Sequence, residues 1–111
     1  MDDLTIWRAL GDAARSGRDV VLATVVRTRG STPRHAGSKM IVDPARGLVG
    51  TIGGGCGEAE VVEAAAEVLR TGEPRIVRVE LLDDVASWSP AVCGGVMEVF
   101  VERVAPAPPA P

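Results

Sequence analysis

The sequence predicts a single α/β domain, of a mixed, α+β-like kind, in which a mixed sheet of about five strands packs against two main helices. Two stretches repeat apolar residues at helical spacing, and five others are β-branched or alternate between apolar and polar residues. A chain of 111 residues is long enough for one core and too short for two domains of ordinary size. Residues 1–104 are expected to form the domain, and residues 105–111, APAPPAP, an extended, disordered tail.

The first half of the chain predicts one helix followed by three strands. Ile6, Leu10 and Ala13 recur at helical spacing after two aspartates that can cap the helix, and Gly17 is a typical residue to end it. The run DVVLATVVRT predicts a strand that is buried on both faces at its start and polar at its end. SKMIVD and GLVGTIG then predict two strands joined by a turn at PARG.

The second half predicts a helix between a glycine-rich loop and two further strands. Val61, Ala65, Val68 and Leu69 form an apolar stripe, and a glycine and a proline follow it. RIVRVELL and VMEVFVERV alternate as strands. The thirteen residues DDVASWSPAVCGG between them form a loop of a length that is often functional.

Composition narrows the classes of function. The formal net charge of −3 disfavours a general nucleic-acid binder, which needs many lysines and arginines to neutralise phosphates. No run of apolar residues is long enough to span a membrane, and the first residues do not resemble a secretory signal, so a cytoplasmic location is expected. In that reducing compartment two cysteines favour free thiols, metal ligands or reactive groups over a structural disulfide.

A glycine-framed cysteine stands at the predicted entry to the second helix. Gly53, Gly54 and Gly55 allow close approach of a ligand to the backbone, and the free N–H groups of the following helix can hold an anion. The same helix end favours the thiolate of Cys56, and so nucleophilicity or affinity for a soft metal. Glu58 opposes anion binding unless its carboxylate points away or bonds a neutral part of the ligand. The alternative is a buried cysteine that acts as a small apolar residue.

A second loop concentrates basic and hydroxyl side chains. Guanidinium groups suit phosphate and carboxylate oxygens. The thirteen residues from 27 to 39 contain Arg27, Arg29, Arg34 and Lys39 but no Asp or Glu, so an anion could be held there. The alternative is that these cations only solvate a half-buried strand. His35 alone is more typical of a surface histidine than of a catalytic base. The candidate anion-binding residues of this loop are Arg29, Ser31, Thr32 and Arg34.

A third loop repeats the cysteine–glycine pattern as Cys93, Gly94 and Gly95, immediately before the last predicted strand. If Cys93 and Cys56 converge on one pocket, they can pass a sulfur atom, ligate a soft metal such as molybdenum, or form a regulatory disulfide. A structural zinc site is disfavoured, because two cysteines and one histidine supply only three preferred ligands.

Together, the segments RGSTPRHAGSKMIVD, GLVGTIGGGCGEAEVVEAA and CGGVMEVFVE resemble, in order and spacing, the N-terminal domain of the XdhC/CoxI family of xanthine and carbon monoxide dehydrogenase accessory proteins. The resemblance covers about residues 20 to 103. Longer members of that family continue into a Rossmann-like second domain.

The resemblance implies a chaperone without turnover of its own, which binds the molybdenum cofactor (molybdopterin) as cargo and assists its sulfuration and insertion into a molybdenum hydroxylase. The implied partners are a xanthine- or carbon-monoxide-dehydrogenase-type enzyme, a cysteine desulfurase, and either a separate Rossmann-domain chain or a second copy. The implied contacts are Cys56 at molybdenum, with Cys93 as a second reactive thiol, and a cofactor-binding set of Arg29, Ser31, Thr32, Arg34, Gly53, Gly54, Gly55, Cys56 and Gly94. Two alternatives stay open: a sulfur-transfer protein with a Cys56 persulfide, and a non-catalytic docking module.

Overall fold

The computed structural model describes residues 3–30, 32, 34–52, 57–80 and 95–106. Two helices and five strands follow one another along these segments. They are α1 (Asp3–Arg15), β1 (Val20–Arg29), β2 (Lys39–Asp43), β3 (Gly47–Gly50), α2 (Glu58–Thr71), β4 (Arg75–Glu80) and β5 (Val96–Val104). The α/β class, the five strands and the two helices are therefore confirmed. Of the predicted tail, only Ala105 and Pro106 belong to the described residues.

The sheet is antiparallel throughout its described pairings, with the order β3-β2-β1-β5-β4. The predicted mixture of parallel and antiparallel pairs is therefore wrong, although the order of helices and strands from which it was inferred is confirmed. The strands before and after α2 do run in the same direction, but they form the two opposite edges of the sheet. Because antiparallel strands separate them, no parallel pair results.

Helix α1 covers one face of the sheet, against β2 and β3. Its buried Ile6 and Ala13 pack with Val20, Leu22 and Ile41. Gly17, with a φ of 71°, turns the chain out of the helix, and the amide of Arg18 donates to the carbonyl of Ala13 at 2.9 Å. This confirms the predicted helix end and leads directly into β1.

Helix α2 covers the opposite face, against β1, β4 and β5. The predicted stripe is confirmed: Val61, Ala65 and Val68 are fully buried, and Leu69 packs against the same cluster. In β1, the residues that face α2 are Val21, Ala23 and Val25. They alternate along the strand with Val20 and Leu22, which face α1. Burial on both faces explains why the start of β1 is continuously apolar.

A β-bulge interrupts this alternation near the end of β1. Val25 pairs with Val99 and Arg27 pairs with Glu98, so Val26 is the extra residue. The bulge moves Arg27 to the face opposite α2, where its guanidinium lies 3.4 Å from the carboxylate of Glu98. No signal in the sequence indicates this change of face, because β-branched residues continue through it.

Neither described helix combines the length and the apolar character that a membrane crossing needs.

Candidate functional site

All three motif loops leave the sheet at the same end. The last residue of β1, Arg29, pairs with the first of β5, Val96, which also pairs with the last of β4, Glu80. On the other side of β1, the start of β2 lies beside Gly50 at the end of β3. The arginine loop (residues 30–38), the glycine–cysteine loop (residues 51–57) and the loop that contains Cys93 (residues 81–95) therefore leave the sheet at one edge of the molecule.

A cleft of about 260 Å³ opens at this end, between the first turn of α1 and the arginine loop. One wall contains Arg34, His35 and Lys39, and Ser38 and Thr51 contribute hydroxyl groups. Asp3 and Ile6 of α1 form the opposite wall. The arginine loop is tied to the sheet below it, since the amide of Gly37 donates to the carbonyl of Val25 at 2.6 Å.

The side chain of Lys39 is fixed within this cleft, with only 16% of it exposed. Its ammonium group donates to the carbonyl of Gly37 at 2.8 Å and lies 3.7 Å from the carboxylate of Asp3. It also stands 5.6 Å from the ring centroid of Trp7, within cation–π range. These contacts hold a positive charge at a defined point of the cleft.

Gly50 directs the chain from β3 towards the cleft and the glycine–cysteine loop. Its φ of +83° ends the strand earlier than the sequence predicts, and a Cβ atom there would lie 2.7 Å from the carbonyl oxygen of Lys39. Only glycine combines this backbone conformation with so close an approach. The position of Thr51 in the cleft wall therefore depends on the absence of a side chain at residue 50.

The first turn of α2 contains acidic side chains, one of which already accepts a hydrogen bond. Gly57 precedes the helix with a φ of 80°, and Glu58 and Glu60 occupy the first turn. The hydroxyl of Thr51 donates to the carboxylate of Glu58. The carboxylate of Glu58 thus bonds a hydroxyl of the protein, and its negative charge stays beside the helix end, so the objection to an anion there remains.

The predicted arginines do not share one depression. Arg34 lines the cleft, whereas Arg29 borders a shallow hollow with Arg27, Arg78 and Glu98. Arg27 and Arg78 are paired with Glu98 and Glu80, at 3.4 and 3.1 Å. Thr32 shapes the loop, because its hydroxyl donates to the carbonyl of Arg34 at 2.9 Å.

The other predicted site residues lie outside the described residues: Ser31, Gly53, Gly54, Gly55, Cys56, Cys93 and Gly94. Whether Cys56 and Cys93 share a pocket stays a prediction. Gly95, which follows them, is buried immediately before β5. Within the described segments, no cluster of three or more His, Cys, Asp or Glu side chains is arranged to hold a metal ion.

The sequence indicates Lys39 as one of four cations that could hold an anion, but it gives no sign that Asp3 belongs to the site or pairs with Lys39. In the sequence Lys39 is only part of a basic run, and Asp3 is only one of two aspartates that can cap α1. Their contact joins residues 36 positions apart in the sequence, and no local pattern reports such a pair. The one available signal is that Lys39 begins the strand directly after the arginine loop.

The sequence model of the XdhC and CoxI family matches residues 13–80, which include the arginine loop, the glycine–cysteine loop and α2. The chain belongs to the XdhC and CoxI family. This match confirms the resemblance for the arginine loop and the glycine–cysteine loop.

Individual members of the family agree with this assignment. The chain is 32% identical over 97% of its length to the molybdenum cofactor insertion chaperone PaoD of Escherichia coli, of which it covers 34%. It is 32% identical over 78% of its length to a probable xanthine dehydrogenase component of Bacillus subtilis, covering 27% of that protein. The Escherichia coli protein YqeB is 39% identical over 72% of the chain, which spans 15% of YqeB.

A solved structure has the same fold. The crystal structure of a xanthine dehydrogenase from Bacillus halodurans superposes with a TM-score of 0.75 at 30% identity, over 94% of this chain and 31% of the other. The chain thus spans between about a seventh and about a third of the proteins that it matches.

Proposed function

We propose that this protein binds the molybdenum cofactor as cargo and assists its insertion into a molybdenum hydroxylase of the xanthine- or carbon-monoxide-dehydrogenase type. The observation that carries the proposal is the match, over 97% of the chain, to a molybdenum cofactor insertion chaperone. The match includes both ends of the sheet and all three motif loops. In this role the protein holds the cofactor and transfers it, without catalytic turnover of its own.

The site of the proposal is the end of the sheet from which the motif loops leave. Molybdopterin has an anionic phosphate end and a soft end, where a dithiolene holds molybdenum. Arginine and hydroxyl groups suit the phosphate oxygens, and we assign these to Arg29, Ser31, Thr32 and Arg34. A thiolate suits the soft end, and we assign it to Cys56, with Gly53, Gly54, Gly55 and Gly94 allowing close approach and Cys93 as a second thiol.

The proposal extends to partners and location. A molybdenum hydroxylase receives the cofactor, and a cysteine desulfurase supplies the sulfur for its sulfurated form. A separate Rossmann-domain chain or a second copy is a further partner. The exchange takes place in the cytoplasm, where the two cysteines stay reduced and available.

Replacing Cys56 by serine is expected to lower molybdopterin retention at least about tenfold, because loss of a metal contact or of its support typically costs that much. Protein purified from a molybdopterin-producing host is oxidised, and the fluorescent pterin product is quantified per mole of chain. Arg34→Gln should also lower retention. Arg46→Gln is the matched control, since Arg46 is exposed in the turn between β2 and β3, at the opposite end of the sheet.

Retention by Cys56→Ser equal to that of the unchanged protein would remove Cys56 from the site. Absence of molybdopterin from the unchanged protein, under conditions that load a known cofactor chaperone, would refute the proposed function as a whole.

A further inference from the structure

We propose that the cleft between α1 and the arginine loop is an oxyanion subsite for a phosphate monoester. Lys39 is its central cation. The carboxylate of Asp3 pairs with Lys39 when no ligand is bound and competes with the phosphate for it. The inference deepens the proposed function, because it names where the phosphate end of the cofactor is held. It adds Lys39, His35 and Asp3, none of which belongs to the predicted set.

The charge distribution favours an anion in this cleft. Arg34, His35 and Lys39 come from one continuous segment, and Ser38 adds a hydroxyl between them. Arg34 and His35 are exposed, and no ion pair with a described residue engages either of them. Their donors are therefore available to a ligand, whereas several other arginines of the described segments are paired with a carboxylate.

Lys39 differs from its neighbours in being preorganised. Its ammonium group has one firm hydrogen bond, to the carbonyl of Gly37, and an ion pair with Asp3 that at 3.7 Å is longer than a hydrogen bond. Asp3 stands in the first turn of α1, and its side chain is 63% exposed. A phosphate oxygen can take the place of that carboxylate with little rearrangement, because the Gly37 contact holds the ammonium group in position.

The entry to α2 is a less favourable binding site for the phosphate than this cleft. Its first turn contains Glu58 and Glu60, and carboxylates there already compensate the positive end of the helix dipole. Glu58 also accepts a hydrogen bond from Thr51, which lines the cleft. The cleft is therefore the better suited of the two places for the charged end of the ligand.

The size of the cleft suits a phosphate group. Pockets that enclose a whole drug-sized ligand measure roughly 300–1,000 Å³, and the cleft has about 260 Å³. It accommodates a phosphate group and its linkage and is smaller than a site for a whole drug-sized ligand. The remainder of the ligand would extend from the cleft along the end of the sheet.

Titration with inorganic phosphate tests the subsite without any cofactor. The full chain, labelled with ¹⁵N in a phosphate-free buffer of constant ionic strength, is followed by the amide shifts of residues 34–39 and 51. We expect saturable shifts at these residues. Lys39→Gln should weaken half-saturation at least about tenfold, the cost of losing a charged hydrogen bond, and Asp3→Asn should strengthen it about threefold, the release of one exposed ion pair. Arg46→Gln should leave it unchanged.

The opposite signs of the two substitutions separate binding from folding, because a loosened structure cannot bind phosphate more tightly. Absence of saturable shifts in the unchanged protein, or equal weakening by Lys39→Gln and Arg46→Gln, would overturn the subsite. Unchanged or weaker binding by Asp3→Asn would overturn the role of Asp3. If phosphate fails to bind while molybdopterin is still retained, the inference fails and the proposed function stands.

Discussion

Replacing Gly50 by alanine is expected to lower the free energy of unfolding by about 2–4 kcal/mol, the sum of a left-handed backbone and a steric clash. The φ of Gly50 is +83°, and the new Cβ would lie 2.7 Å from the carbonyl oxygen of Lys39 and 3.1 Å from Cδ1 of Ile6. The oxygen belongs to the backbone of β2, so it cannot move aside without breaking the register between β2 and β3. Urea denaturation followed by circular dichroism measures the effect.

Gly47→Ala is the matched control for Gly50→Ala. Gly47 also has a positive φ, of +90°, but no atom lies within 4 Å of a Cβ built there. Its substitution should therefore cost only the backbone conformation, about 1 kcal/mol. Equal losses for the two variants would show that the contact with Lys39 contributes nothing. The Gly50 variant should also shift the amide signal of Thr51, since the clash lies at the rear of the cleft.

The second large effect is expected at Asp43, the buried acid of the described core. Its side chain is 6% exposed and lies 3.0 Å from the guanidinium of Arg18. It also accepts a hydrogen bond from the amide of Ala45 at 2.9 Å, which stabilises the turn between β2 and β3. Asp43→Ala is expected to cost about 2–4 kcal/mol, because it leaves the partly buried Arg18 without its partner and opens the turn.

The same residue predicts how stability depends on pH. Burial by itself raises the pKa of Asp43. Hydrogen bonds from the Ala45 amide and from Arg18, together with the charge of Arg18, lower that pKa by a larger amount, so the net pKa lies below its ordinary 3.8. Both folded and unfolded forms are ionised above that value, and the stabilisation is complete there. As the pH falls below 3.8, the unfolded chain takes up the proton first, and the stabilisation is lost as the pH passes the folded pKa.

Unfolding curves at pH 7 and pH 3 separate this effect from a general acid response. Asp43→Ala should lose much less stability on acidification than the unchanged protein does. Asp12→Ala serves as the control, because Asp12 belongs to an exposed pair with Arg15 and its loss should change stability by less than about 1 kcal/mol. An acid response of Asp43→Ala equal to that of the control would contradict the assignment.

Local patterns of sequence predict the elements of this fold well. The helical stripe of α2 is predicted residue by residue, because a helix that covers a sheet must bury side chains every three to four residues. The bounds of β5 agree with the structure for the same kind of reason, since one face is buried and the other is not. The strand before the glycine–cysteine loop ends earlier than predicted, because a single positive φ at Gly50 outweighs the β-branched residues around it.

The candidate site is predicted only in part. Residue type and neighbours indicate Arg34, and the structure places it in the cleft. The sequence groups Arg29 with Arg34 because five positions separate them, yet they border different depressions. Arg29 lies on the β5 and β4 side of β1, with Arg78 and Glu98, whereas Arg34 lies on the β2 side, with Lys39 and the start of α1. The order of the strands in the sheet sets this separation, and spacing along the chain does not report it.

Spacing and residue type are sufficient to predict the class of the fold, the positions of its helices and strands, and three loops whose residues suit phosphate and a soft metal. These are local properties, since each depends on a few neighbouring positions. Long-range pairing makes the sheet antiparallel, brings the three loops to one end of it, and places Lys39 against Asp3 in the first turn of α1. Those contacts join distant segments, and they are fixed by the burial of both faces of β1 rather than by any neighbouring residue.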